Sequence, residues 1–129
     1  MTTLNLYYAK TVAFQCDDGV TQVNPLFMMW GAMNRKCIFS GNVYGEEECL
    51  TAEQALHAVT LGAAYLMGHE DNKGSICAGK LADFAVLDAN PLETPKLEIK
   101  DIHVHAIVLG GDVTVHKNAT TSVKEPEMA

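Results

Sequence analysis

The sequence predicts an α+β chain in which one strand and two helices come first and three or four short strands follow. Three observations carry this reading. Thr51-Ala52-Glu53-Gln54 is a capping box that opens a run of apolar residues at helical spacing. Asn24-Pro25 opens a second such run. Beyond Gly68 the period changes from helical to alternating, and Gly110-Gly111 marks a hairpin. This order is odd for a free-standing domain, because the first strand has no sequence neighbour to pair with. It reads as the closing βα unit of something larger, followed by part of a separate β layer.

The elements follow in order. Residues 9–16 read as a short buried strand, which Asp17, Asp18 and Gly19 end, since Asp and Gly favour turns over strands. A helix is expected from Pro25 to about Arg35, with Asn24 as cap and Leu26, Met29, Trp30 and Met33 as its apolar stripe. Residues 36–50, rich in Gly, Asn and Glu, read as loop. The Thr51 helix is expected to continue through Ala52, Ala55, Leu56, Val59, Ala63 and Leu66, with Gly68 as its stop. Residues 75–77 and 82–88 read as strands, with Ala78-Gly79-Lys80 as the bend between them. Asp88 to Pro91 is a turn. Ile102, Val104, Ala106 and Val108 alternate on one strand face, and Val113 to His116 is the returning strand. The reading divides the chain into 1–68, 69–117 and a loose polar tail at 118–129.

Bulk properties exclude several classes. The chain has 129 residues, 48% of them hydrophobic and 19% charged, an ordinary globular balance. A net charge of −7 argues against nucleic acid or an anionic membrane as partner, because both require clustered Lys and Arg. No apolar run reaches the roughly 20 residues of a membrane span, and the first residues do not read as a secretory signal. Cys16, Cys37, Cys49 and Cys77 form no C-x-x-C pair. They are expected to be four reduced thiols in a cytoplasmic protein, several of them buried.

Four ordered stretches together resemble one family. The first is Phe14-Gln15-Cys16-Asp17 with Val20-Thr21 and Asn24-Pro25-Leu26. The second is Glu48 to Leu56, leading to Ala63-Ala64 and Met67-Gly68. The third is Lys73-Gly74-Ser75-Ile76, Ala78 to Asp83, Val86-Leu87-Asp88 and Asn90-Pro91, which is the most specific. The fourth is Val108 to Gly111 with Val113. Spread over residues 12–117, they are similar to the amidohydrolase superfamily, and within it to the N-acyl-amino-acid deacylase-like branch (amidohydrolase family three). The resemblance implies a (β/α)8 barrel with its active site at the C-terminal ends of the strands, plus a small composite β-sandwich. On that template residues 9–16 are the eighth barrel strand, the two helices follow it, and residues 74–116 are the C-terminal share of the sandwich. The other seven barrel strands and the N-terminal half of the sandwich are then expected to be missing from this chain.

The chemistry implied is activation of water by one or two divalent metals, zinc foremost, for attack on an amide-type carbon. Of the family's ligand set only the aspartate at the end of strand eight can be placed, at Asp17, as metal ligand and general base. The family motif often reads His-Ser-Asp, whereas this chain has Gln15-Cys16-Asp17. Without the resemblance, Asp17 would read as a strand-terminating aspartate in a turn. No metal is expected to be held by this chain alone.

Other chemistry-bearing residues have plainer readings. His103-Val104-His105 is an H-x-H pair on one strand face, a pattern used by metal sites. It lies in the sandwich segment and no third ligand is evident, although His116 could come near, so a solvent-facing, non-ligand pair is preferred. His57 reads as helix surface, His69 as part of a turn, and Glu46-Glu47-Glu48 as a solvated loop. Cys16 has no His partner in sequence to make it a nucleophile. Asn118-Ala119-Thr120 fits a glycosylation sequon with nothing to indicate secretion.

Three readings of the chain as a whole stand side by side. It is a catalytically dead fragment of a hydrolase whose small amide-type substrate binds only the complete enzyme. Or it is a non-catalytic module, expected as a homo-oligomer, a dimer first, that covers the edge of strand 9–16 and the apolar face of the Trp30 helix. Or it is one chain of a split enzyme. The closeness of the chain's start to the last barrel strand favours the first.

Overall fold

The computed structural model describes residues 12–14, 16 and 23–115. Helix α1 spans Pro25–Asn34. Asn24 caps it: its side-chain oxygen accepts from the N–H of Leu26 (3.0 Å) and of Phe27 (3.2 Å), and Pro25 has no N–H to satisfy. Leu26, Met29, Trp30 and Met33 are buried as the spacing predicts, and Asn34 is buried with them. The Asn34 amide donates to Trp30 O (2.9 Å) and Lys96 O (2.8 Å), fastening the helix end to a distant turn. The segment after α1 is largely loop, closed by a Lys36–Val43 bridge and a 3-10 turn at Glu46–Glu48.

Thr51 forms the expected capping box, donating to Gln54 Oε1 (2.9 Å) and accepting from Gln54 N–H (3.2 Å). The helix it starts does not run through to 67. It divides into α2 (Ala52–Val59) and α3 (Leu61–Leu66) at Thr60, whose φ of −117° and ψ of −94° are not helical. The Thr60 hydroxyl donates to Leu56 O at 2.7 Å, the local competition for backbone carbonyls that bends helices. The break shifts the register, so Gly62 and Ala64 are buried in place of the expected Ala63 and Leu66, and Leu66 is exposed. Gly68 does end α3: its N–H reaches Tyr65 O, and the His69 N–H reaches Ala64 O.

Two expected strands are not seen among the described residues. The described part of 9–16, residues 12–14 and 16, carries no strand, and none of the described strands runs beside it to complete a ladder. Residues 75–77 are irregular as well. Here the chain closes on itself: Asn72 O accepts the Leu81 N–H (2.9 Å), while the Lys80 ammonium bonds the carbonyls of Glu70 and Lys73. Ile76 is left 87% exposed. Gly74 lets this loop lie directly on α3. A Cβ there would sit 2.7 Å from Ala64 Cβ and 2.8 Å from Leu61 Cα, at a φ of +82°.

Three strands form one antiparallel sheet in the order β1-β2-β3: β1 (Phe84–Leu87), β2 (Val104–Leu109) and β3 (Asp112–Val115). The β2–β3 turn is Gly110-Gly111, with φ of +58° and +91°, as a type I′ hairpin requires. Ile102, Val104, Ala106 and Val108 point to one side, as their alternation predicts. One core joins the helices to the sheet: Leu26, Met29 and Met33 of α1, Ala55 of α2, and Ile99 and Ile102 ahead of β2, with Phe14, Leu87 and Val104 packed against them. The apolar face of α1 is therefore covered within the chain, Met29 being 1% and Trp30 7% exposed, and does not await an oligomer. The chain is α+β, with helices on one side of a small antiparallel sheet.

Candidate functional site

Asp17, the residue expected as metal ligand and base, lies outside the described residues, as do Gln15 and His116. Its neighbours are described: Phe14 packs on the core and Cys16 is half-buried.

His103 and His105 do find a common partner, one that sequence reading missed. The β1–β2 ladder shifts register between Val86 and Leu87, so that Leu87 turns to the same side as Val104. The Asp88 N–H then bonds His103 O (3.0 Å), and the Asp88 carboxylate comes up beneath both imidazoles. Its Oδ2 lies 3.0 Å from His103 Nδ1 and its Oδ1 3.5 Å from His105 Nδ1. One carboxylate thus spans the H-x-H pair on the solvent side of the sheet. The Nδ1 atoms of both rings are engaged with Asp88, and no group of three His, Cys, Asp or Glu among the described residues is placed to hold a metal ion. The signal that could have found Asp88 was its position in the turn beside a bulge, which only pairing reveals.

The most family-specific stretch, residues 73–88, builds scaffold. Asp83 accepts the Gly110 N–H at 2.7 Å and pairs with the Lys73 ammonium at 3.2 Å. The Gly110 N–H, with Lys73 beside it, holds the Asp83 carboxyl below the usual carboxylate range. The Gly111 N–H bonds Ala82 O, so the hairpin tip is tied twice to the start of β1. His57 lies on α2 and His69 in the turn after α3, where the sequence put them. Glu46 to Glu48 form a 3-10 turn ahead of the Thr51 cap.

All four cysteines are unbonded to one another, and contrary to expectation none is buried: Cys16, Cys37 and Cys49 are half-buried and Cys77 is exposed. Cys37 is distinct. The Ser40 hydroxyl, and after it the N–H groups of Ser40 and Phe39, hydrogen-bond its sulfur and pull the thiol below its ordinary range. It lines a cleft of about 390 Å³ together with Phe27, Trp30, Lys36 and Lys100.

The sequence profile of the amidohydrolase family matches residues 8–115. The chain is 31% identical over 93 residues to an N-substituted formamide deformylase of Arthrobacter pascens, covering 72% of this chain and 17% of that protein. It is 29% identical over 104 residues to the YtcJ amidohydrolase of Bacillus subtilis (strain 168), covering 79% of this chain and 20% of that one. An imidazolonepropionase of Streptococcus pyogenes is 34% identical over 68 residues, 53% of this chain and 16% of the relative. The chain thus spans about a fifth or less of the length of the curated relatives it matches. No solved structure matches it significantly. With the family profile covering residues 8–115 of 129, the chain belongs to the amidohydrolase family.

Proposed function

We propose that the chain is the C-terminal piece of a metal-dependent hydrolase acting on carbon–nitrogen bonds of the amide type, and that it is inactive by itself. The match over residues 8–115 carries this reading, since a formamide deformylase and another amidohydrolase are among the relatives. On it, the helices follow the last barrel strand and the three-stranded sheet is the C-terminal share of a composite sandwich. Asp17 is the strand-end carboxylate, a hard oxygen ligand that also takes the proton of the attacking water. The metal, zinc by preference, would supply a water activated at neutral pH. The described residues do not fit a metal: the Nδ1 atoms of His103 and His105 are taken by Asp88, and no group of three ligand-type side chains converges among them. The other ligands, and the pocket for a small amide, belong to the complete enzyme. Four unpaired thiols support a cytoplasmic setting, and no helix among the described residues is long and apolar enough to cross a membrane.

Metal content of the chain purified from metal-supplemented medium, beside an Asp17→Ala control, tests this. The expected result is less than about a tenth of an equivalent in both. Near-stoichiometric metal that disappears in Asp17→Ala would overturn it, and would mean that Asp17 has gained partners in an assembled site.

One observation favours a second reading, an oligomeric module. Phe84 and Val86 of β1, Ala106 and Val108 of β2, and Val113 and Val115 of β3 share one sheet face. Phe84 is 40%, Val86 41%, Val113 63% and Val115 52% exposed, so both edges of that apolar face have no cover among the described residues. A homodimer that stacks two such faces would bury it. A clean monomer in light scattering would remove this reading.

A further inference from the structure

We infer that the cleft beside the C-terminal half of α1 binds a small monoanion with an apolar body, an aryl or short-chain carboxylate. Its volume of about 390 Å³ lies toward the lower end of small-molecule sites, roughly 300–1,000 Å³. One wall is aromatic. Phe27 and Trp30, three residues apart on α1, stack with ring centres 5.5 Å apart and planes inclined by 10°. Ile38 and Leu97, both partly exposed, extend the apolar wall to the lip.

The ionisable side chains of the lining, apart from Cys37, are lysines. Lys36 and Lys100 face the same cleft, and no Asp or Glu lines it. In a chain of net charge −7 this is a local reversal of sign. Lys100 also holds the neighbouring Asp101, at 2.8 and 3.1 Å. Lys36 pairs with no carboxylate among the described residues. A single negative charge set at Lys36, with an apolar body against Phe27 and Trp30, satisfies both halves of the lining. Two anionic groups would exceed the free positive charge, and a neutral apolar ligand would leave the Lys36 ammonium unused.

Trp30 is the chain's only tryptophan, so its emission reports on this cleft. The full chain is titrated with phenylacetate and, separately, with the neutral isostere phenylacetamide. A saturable change in Trp30 emission is expected with phenylacetate and not with phenylacetamide. Lys36→Gln should weaken phenylacetate binding about tenfold, as expected for loss of one charge-assisted contact. Circular dichroism checks that the variant is folded. Phenylacetate should also slow iodoacetamide labelling of Cys37, which lines the same cleft, while leaving the exposed Cys77, which does not line it, unchanged. Failure to saturate, an equal response to phenylacetamide, unchanged affinity in folded Lys36→Gln, or unprotected Cys37 would each overturn the inference.

Discussion

Asp83 stands between the loop at Lys73 and the tip of the β2–β3 hairpin, accepting from Gly110 and pairing with Lys73. Both contacts favour the carboxylate, so its folded pKa lies below the unfolded one. The stability it contributes is full above the unfolded pKa and is lost as pH falls through the folded value. Thermal midpoints should therefore drop on acidification below about pH 4, and Asp83→Asn should be less stable at neutral pH and less sensitive to that acidification. A variant with an unchanged pH profile would show that the carboxylate is energetically idle. Cys37 offers a parallel test at the same scale. Its alkylation rate should rise at a lower pH than that of an ordinary thiol, and Ser40→Ala should move the profile upward by removing the hydroxyl donor. Gly74 has no room for a methyl group against Ala64 and Leu61 and sits at positive φ. Gly74→Ala should cost about 2–4 kcal/mol in chemical denaturation.

The helical elements depend on short polar devices at their ends and on one shared core. Both halves of the Thr51 capping box are made. Thr51→Ala should cost about 1 kcal/mol, most of it visible as reduced helicity on heating. The division at Thr60 is what lets α3 turn its small residues inward, Gly62 toward the Val12 carbonyl and Ala64 toward Gly74. Ile99, fully buried in a single 3-10 turn, ties the connection before β2 to α1 and α2. Ile99→Ala should destabilise by about 2–5 kcal/mol in urea unfolding. A cost below 1 kcal/mol would mean that the helices and the sheet do not share a core.

Among the described residues, the apolar stripe of α1 is covered, whereas the apolar face of the sheet is bare along both edges. That asymmetry is what a piece of a two-sheet sandwich would show, and it is also what would drive self-association. Val113→Lys with Val115→Thr should lower any association constant measured by sedimentation while leaving the β2–β3 hairpin intact, because both side chains lie off the ladder's hydrogen bonds. The His103–Asp88–His105 group lies on the opposite, solvent side, so its substitution should leave association unchanged.

Periodicity and caps were enough to determine α1, the Thr51 start, the alternating face of β2 and the Gly110-Gly111 turn, because each depends on contacts within a few residues. The family, too, was legible from four ordered motifs, and the profile over residues 8–115 agrees. What the sequence could not reveal depends on groups far apart along the chain. Residues 75–77 have strand-like composition, but Lys80 and Leu81 claim the carbonyls around them. Residues 12–14 and 16 have strand-like composition without a ladder beside them. The continuous apolar stripe to Leu66 ignored a hydroxyl that bends the helix at Thr60. Asp88 meets both histidines only because a register shift in the β1–β2 ladder brings it there. Asp83, quoted as part of a motif, became a hairpin tie only once the chain had brought Gly110 back beside it. Local order follows from local chemistry, whereas pairing partners, and the faces they cover or leave bare, are decided when distant segments compete for the same hydrogen bonds and the same core.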